Sequence, residues 1–113
     1  MKPTEKPETC LLTPLLALLT GPWTLHIVWV LSTHGPTRFG VLKRQLDGVS
    51  SKVLTKRLRM LEEAKVVARH YKPTIPPEVT YSVTTRGEDL DIVLAQLHEI
   101  ALKWYESPNQ DII

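Results

Sequence analysis

The chain has few of the residues that build disulfide frameworks and metal sites. Its 113 residues include one cysteine and four histidines, and aromatic residues make up only 6%. A single cysteine, Cys10, excludes a disulfide framework and a cysteine-based zinc site within one chain, and it fits a reducing cytoplasm. The histidines are scattered without metal-ligand spacing, at His26, His34, His70 and His98. We therefore predict no metal and no cofactor.

The constellations that carry enzyme chemistry are also missing. We find no glycine-rich phosphate loop, no Ser/His/Asp arrangement and no convergent pair of carboxylates. The acidic residues near the start of the last predicted helix, Glu88, Asp89 and Asp91, suit the positive end of its dipole. The sequence therefore predicts a protein that is not an enzyme.

One long apolar stretch, residues 11–31, contains no Asp, Glu, Lys or Arg and has the length of a membrane span or signal sequence. Pro14, the Gly21-Pro22 pair and His26 interrupt it. Two short buried helices that meet at Gly21-Pro22 explain the stretch better, so we predict no membrane contact.

The net charge of +2 hides an uneven distribution. Residues 38–72 contain ten Lys or Arg and three acidic residues, a net charge of +7, whereas the rest of the chain carries −5. A positive field concentrated in the middle third favours a polyanionic partner over a merely solvated surface.

Within that third, residues 50–63 read as a helix with two opposed faces. Leu54, Leu58 and Leu61 form an apolar stripe that requires a core. A second face is polar and cationic, with Ser51, Lys52, Thr55, Lys56 and Arg59. A helix of this kind has what an element entering the DNA major groove requires.

The order of predicted elements is helix, helix, helix, helix, β-hairpin, helix. Helix starts are predicted with Pro22 as a first helical residue, with Thr37 and Ser50 as caps, and with a capping box over residues 85–88. Gly48 lies in a turn that favours positive φ. Residues 66–72 and 79–83 read as two strands joined by a stiff proline-rich tip. The fold class is α+β, mainly α, a winged helix-turn-helix. We expect a flexible arm over residues 1–9, one domain over residues 10–106 and a tail over residues 107–113.

Three segments resemble the HxlR-type transcriptional regulators: GPWTLHIVWVL, RFGVLKRQLDGVSSKVLTKRLRMLEE and YKPTIPPEVTYSVTTRGEDL. The resemblance runs from Cys10 to about Trp104. It implies a cytoplasmic homodimer that binds double-stranded DNA, with the N- and C-terminal helices as dimerisation helices. Some members sense electrophiles or oxidants through a cysteine near the N-terminus, the position of Cys10, so a small-molecule or oxidant signal is implied.

The candidate site residues follow from the two-faced helix and its neighbours. We assign contacts with base edges to Ser51, Lys52, Thr55 and Lys56. Arg59 belongs either to this recognition face or to a phosphate contact, and further phosphate contacts are assigned to Arg38, Lys43 and Arg44. The wing contacts are assigned to Arg69, His70, Lys72 and Thr74. Arg57 stays ambiguous, because it can instead pair with Glu62 or Glu63.

The last helix carries an apolar stripe at helical spacing: Leu90, Val93, Leu94, Leu97, Ala101 and Trp104. The core of so short a chain cannot cover the whole of one face of a 20-residue helix. We therefore assign the stripe to a dimer interface. The alternative is that the stripe packs only within its own chain. Cys10 precedes an apolar helix whose dipole favours thiolate, and it reads either as a redox sensor or as a buried structural cysteine. A winged helix that contacts another protein, without a DNA target, is the alternative function. The operator, the inducer, the target genes and the direction of regulation are not encoded in any pattern we find.

Overall fold

The computed structural model describes residues 11–106 as five helices and three strands. They are α1 (Leu12–Leu19), α2 (Thr24–His34), β1 (Thr37–Arg38), α3 (Phe39–Gln45), α4 (Ser51–Glu63), β2 (Val67–Lys72), β3 (Glu78–Val83) and α5 (Thr85–Tyr105). The predicted arm (residues 1–9), Cys10 and the predicted tail (residues 107–113) lie outside the described residues. The strands form one antiparallel sheet in the order β1-β3-β2. The predicted winged helix-turn-helix, mainly α with a small sheet, is confirmed.

The core lies where α2, α3 and α4 meet the sheet. Helix α2 is central, as its nearly all-round apolar sequence predicts, and it buries Ile27, Val28 and Leu31. Helix α4 contributes its three leucines, while Tyr81 closes the core from β3. The leucine face of α4 is thereby fixed, and the orientation of its opposite face follows from that.

Helix α2 begins two residues later than predicted, and Pro22 is not its first helical residue. Thr24 N donates to Gly21 O at 3.3 Å, and Trp23 has φ 69° and ψ −6°. Proline at the second position and a left-handed residue at the third are the signature of a type II turn. Pro22 therefore shapes the turn before α2, and the strained position falls on Trp23.

The predicted cap of the third helix is also wrong. Thr37 and Arg38 pair with Tyr81 and Thr80 as a two-residue strand, and α3 begins only at Phe39. The Thr37 hydroxyl donates to Gly35 O at 2.7 Å and does not cap the helix. Pairing with a distant strand overrides the local capping preference of threonine here.

The capping box predicted for residues 85–88 does not form, and the last helix is capped one residue earlier by a single side chain. Thr84, not Thr85, is the N-cap, and its hydroxyl accepts from Gly87 N at 3.0 Å. The same hydroxyl lies 2.6 Å from Lys65 O and 3.1 Å from Val66 O. A threonine that reaches both its own helix and the segment that follows α4 is favoured over its neighbour.

Helix α1 differs most from expectation, because none of its residues is buried. The prediction of two short buried helices holds for α2 and is wrong for α1. Among the described residues no single helix is long and apolar enough to cross a bilayer; α1 and α2 meet that criterion only as a pair, bent by 82°.

Candidate nucleic-acid interface

Helix α4 has the two faces that its sequence predicts. Leu54, Leu58 and Leu61 are almost completely inaccessible to solvent. Ser50 caps the helix as expected, because its side chain accepts a hydrogen bond from Val53 N at 3.1 Å. The start of α4 is therefore fixed by a local cap and its rotation by the buried leucines.

The polar face of α4 lies open to solvent. All five residues assigned to it are exposed: Ser51, Lys52, Thr55, Lys56 and Arg59. Together with Met60 and Glu63 they line an open concave surface of about 590 Å³. The structure thus brings the base-reading candidates onto one continuous cationic surface that no part of residues 11–106 covers.

The turn before α4 has the predicted backbone. Gly48 adopts φ 96°, a conformation that side chains rarely adopt. A Cβ added there would lie 4.0 Å from the ring of Trp23. The Trp23 ring in turn lies 5.5 Å from that of His26. The tight turn and the aromatic ring beside it hold the start of α4 against the start of α2.

Arg57, which the sequence leaves ambiguous, points away from the polar face. Its Nη1 donates to Met60 Sδ at 3.3 Å, and a Cβ added at Gly21 would lie 2.6 Å from the same Nη1. Within residues 11–106 Arg57 makes no ion pair with Glu62 or Glu63. It packs instead against the α1–α2 turn, a contact that charge counting along the sequence does not reveal.

The residues predicted to contact the DNA backbone lie on α3 and β1. Arg44 is exposed, Lys43 is partly buried, and both belong to the last turn of α3. Arg38 lies on β1, where its Nη2 is 2.7 Å from Glu78 Oε2. Such exposed pairs contribute little stability. The pair nevertheless places a carboxylate beside one of the proposed phosphate ligands, which the sequence does not reveal.

The wing is the hairpin of β2 and β3, with its tip at residues 73–77. Arg69 shares a depression with Thr55 and Arg59 of α4, so the wing begins beside the polar face. His70 Nε2 lies 3.1 Å from Ser82 Oγ, and the Thr74 hydroxyl donates to Pro76 O at 2.8 Å. Lys72 is exposed. Of the four wing candidates, Arg69 and Lys72 extend into solvent, whereas His70 and Thr74 also hold the hairpin together.

The C-terminal end of α4 is closed by residues that the sequence analysis did not single out. Lys65 has φ 66°, Val66 N donates to Leu61 O at 2.9 Å, and Lys65 N donates to Glu62 O at 3.0 Å. This is a Schellman motif with lysine where glycine is usual. Arg86 Nη1 donates to Ala64 O at 2.8 Å and ties α5 to the same end.

Large apolar side chains are exposed on both α1 and α5, and we refer to them together as the apolar surface. Its exposed large side chains are Leu11, Leu12, Leu15 and Leu16 near and on α1, and Ile92, Val93, Leu97, Ile100, Leu102, Trp104 and Tyr105 on α5. Of the stripe predicted from sequence, Val93, Leu97 and Trp104 belong to this surface. Leu94, at 7% exposure, lies in the chain's own core, and Leu90 and Ala101 are partly buried. The leucines of α1 were not singled out one by one, although the family resemblance implies that the N-terminal helix takes part in dimerisation; Ile92 and Ile100 were not predicted.

Metal binding has no support in the part of the chain that the structure describes. No group of three or more His, Cys, Asp or Glu side chains is placed there to hold an ion.

The chain is similar to known transcriptional regulators in both sequence and structure. Residues 18–109 match the family described as HxlR-like helix-turn-helix. A relative named HTH-type transcriptional regulator sll1512, from Synechocystis, is 36% identical over 102 residues, which is 90% of this chain and 75% of the relative. The solved structure of the transcriptional regulator YodB from B. subtilis, in its reduced form, is 31% identical, with a TM-score of 0.72 over 86% of this chain and 95% of YodB. The redox regulator HypR in its oxidized form is 28% identical, with a TM-score of 0.75 over 81% of this chain and 94% of HypR.

Proposed function

The chain belongs to the HxlR-like helix-turn-helix family of transcriptional regulators, and on that premise we propose that it binds a specific operator as a homodimer. The observation that supports this best is the exposed cationic face of α4, opposite three buried leucines. A helix whose apolar face is buried in the core and whose polar face is exposed is suited to the major groove. The family and the charge distribution both favour double-stranded DNA as partner, and the family favours a cytoplasmic location.

The roles of the α4 side chains follow from their positions. Ser51, Lys52, Thr55 and Lys56 occupy the first two turns, the end that enters the groove in helix-turn-helix proteins, and we assign them to base edges. Arg59 lies a turn further on and beside Arg69, so we assign it to a phosphate.

The remaining cations position the protein on the backbone. Arg44 and Lys43 are assigned to phosphates from α3, and Arg38 from β1, where Glu78 competes for it. Arg69 and Lys72 carry the wing contact, with His70 and Thr74 bound mainly within the hairpin. Phosphate contacts fix register without specifying sequence.

A first experiment separates base reading from backbone binding. Lys52→Ala and Lys56→Ala are each expected to relax one base position of a selected operator, at about 1–3 kcal/mol per lost contact. Arg44→Ala should weaken all sequences alike and flatten the salt dependence by about one unit of slope. Lys103→Ala, the same charge change in the last turn of α5, is the control and should change neither. If both α4 variants keep wild-type affinity and sequence preference, the assignment of α4 is wrong.

The exposed apolar surface supports dimerisation through α1 and α5. So many large apolar side chains on two helices form the kind of patch that marks a protein interface. Two-fold symmetry would then place the two α4 helices on half-sites about 34 Å apart, one helical turn of DNA.

The dimer has its own measurement. Sedimentation equilibrium at micromolar concentration should give a dimer for the wild type and a monomer for Leu97→Asp, because the charge would fall on the proposed interface. Ile75→Asp, an equal change on the wing tip, should remain dimeric. A wild-type protein that sediments as a monomer would remove the dimer from the proposal.

A redox response through Cys10 is the regulatory part of the proposal. It is supported by the position of that cysteine just before α1 and by the likeness to a redox regulator. In the proposed reaction, the Cys10 thiols of the two protomers lose two electrons and two protons to an azo oxidant such as diamide, form a disulfide and leave the hydrazine. Operator binding by wild type and Cys10→Ser should diverge after diamide. Equal responses would mean that Cys10 is structural.

The competing function is a winged helix that contacts another protein and has no DNA target. The exposed polar face of α4 favours DNA, since a protein-contact helix would not need five polar or cationic side chains on one face. A gel shift on generic DNA at low salt decides between them, because the electrostatic contribution alone gives measurable non-specific binding. No shift under those conditions would favour the protein-contact function.

A further inference from the structure

The tip of the wing is apolar, although the hairpin below it is charged. Residues 73–77 contain three prolines, Thr74 and Ile75, and none of the five is charged. The Ile75 side chain is 100% exposed, the highest value among the large apolar residues described. A fully hydrated isoleucine forgoes the free energy of burial, and covering it on binding would recover that free energy.

The tip is also held rigid by its own bonds. Thr74 N donates to Lys72 O and the Thr74 hydroxyl donates to Pro76 O, both at 2.8 Å. Pro73, Pro76 and Pro77 have fixed φ angles and no backbone donor. The backbone that carries Ile75 is therefore restrained, which lowers the entropic cost of inserting this residue into a partner.

The hairpin carries this tip to one side of the polar face of α4. Arg69 lies beside Thr55 and Arg59, and β2 continues outward to Lys72 before the tip begins. At about 3.3 Å per residue the tip lies roughly 10–20 Å beyond that face. Half a helical turn of DNA is about 17 Å, so a wing of this length reaches the minor groove next to the major groove that α4 occupies.

We propose that Ile75 inserts into that flanking minor groove as an apolar wedge between two base pairs and bends the operator. The proposal rests on the proposed DNA-binding function and adds to it a specific contact and a deformation. An uncharged tip cannot read the minor groove by arginine or lysine insertion, whereas isoleucine and proline are side chains that unstack a base step. Arg69 and Lys72, lower on the hairpin, would hold the adjoining phosphates.

The wedge predicts a sequence preference at a position that α4 never touches. Pyrimidine–purine steps unstack most easily, so TA or CA steps at the two wing positions should bind better than A-tract steps. In a symmetric operator the two preferred steps lie outside the two half-sites. This preference should depend on Ile75 and not on Lys52 or Lys56.

The experiment compares wild type, Ile75→Ala and Lys72→Ala on one operator. Ile75→Ala removes three side-chain carbons and should bind roughly tenfold more weakly, with an unchanged salt slope; the loss is smaller than full burial of those carbons would give, because the variant also avoids the cost of unstacking the base step. It should also bend DNA less in a circular-permutation gel shift. Wild type should make thymines at the wing step hyper-reactive to permanganate, which attacks unstacked bases, and Ile75→Ala should abolish this. Lys72→Ala should flatten the salt slope and keep the bend and the reactivity.

The outcomes separate the wedge from the function on which it rests. A wild-type protein that binds no DNA overturns the proposed function itself. A wild-type protein that binds its operator, with Ile75→Ala giving the same affinity, bend and permanganate pattern, overturns the wedge and leaves DNA binding intact. A tip that binds a protein partner would also leave affinity, bend and permanganate pattern unchanged in Ile75→Ala. The result that overturns the wedge therefore favours a protein partner for the tip.

Discussion

Replacing Gly87 by alanine should reverse the usual effect of that change in a helix. In an exposed helix interior, Gly→Ala stabilises by about 0.5–1 kcal/mol. Gly87 lies in the first turn of α5 and is buried. A Cβ added there would collide with the backbone oxygen of Val66 and would lie 2.6 Å from Val83 Cγ1. Packing against the end of α4 and the sheet, not backbone conformation, requires the glycine.

The size of the effect follows from what holds Val66 in place. Its oxygen accepts from Thr84 N at 3.0 Å and lies 3.1 Å from the Thr84 hydroxyl. The first turn of α5 therefore cannot move away without breaking the bonds that begin the helix. Overpacking costs about 1–3 kcal/mol and a lost cap about 1 kcal/mol. Less the helix preference of alanine, we expect Gly87→Ala to lower the free energy of unfolding by about 1–3.5 kcal/mol.

Gly40 offers the matched control, because it lies in α3 and a Cβ added there would meet nothing nearer than Arg44 Nη1 at 3.9 Å. Gly40→Ala should raise the free energy of unfolding by about 0.5–1 kcal/mol. Urea unfolding of the three proteins at one protomer concentration measures both changes, since a dimer's stability depends on concentration. Stabilisation by Gly87→Ala, or shifts of equal sign and size, would refute the steric argument.

Three further substitutions test how α4 is held, each by urea unfolding. Ser50→Ala should cost about 1 kcal/mol through the lost cap; an unchanged midpoint would show that the hydroxyl does not cap the helix. Leu58→Ala should cost about 2–5 kcal/mol through the cavity that it leaves, and a smaller loss would mean that the core collapses around it. Lys65→Gly should raise the free energy of unfolding by up to about 1 kcal/mol, because Lys65 itself has φ 66°, a conformation that glycine adopts without strain. A lower free energy of unfolding would show that the lysine side chain contributes more stability than its backbone strain costs.

Helix α4 could be predicted from the sequence because all of its determinants are local. The leucine spacing, the Ser50 cap and the glycine turn at Gly48 lie within 14 residues of one another, and together they indicate a helix in that place. The hairpin was predictable for the same reason, since alternating β-formers flank a proline-rich tip.

The errors arise where distant parts of the chain decide the local structure. β1 has two residues and exists only because β3, more than 40 residues later, pairs with it. The Thr84 hydroxyl is preferred over that of Thr85 because it reaches the end of α4 as well as its own helix. Trp23 takes a left-handed conformation that no pattern in its neighbours indicates.

Apolar spacing on α5 could not distinguish residues buried in the chain's own core from residues on an exposed apolar surface. Leu94 and Leu97 lie one turn apart on the same stripe, yet Leu94 is buried within the chain and Leu97 is exposed. The difference depends on where α2 crosses α5, which is a property of the tertiary arrangement. For the same reason α1 was expected to be buried, whereas its leucines are exposed or only partly buried.

Charge counted along the sequence overstates the field that α4 and its neighbours present. Of the ten basic residues in the middle third, Arg57 turns inward against Gly21, and Arg38 is paired with Glu78. The exposed cations that remain near the proposed DNA-binding surface lie on α4, on the lower part of the wing and, with Arg44, at the end of α3. Because only cations that meet phosphates release counterions, the salt dependence of binding should follow this smaller set. The recognition surface is therefore defined less by the charge of the segment than by the buried leucines, which decide the side on which that charge lies.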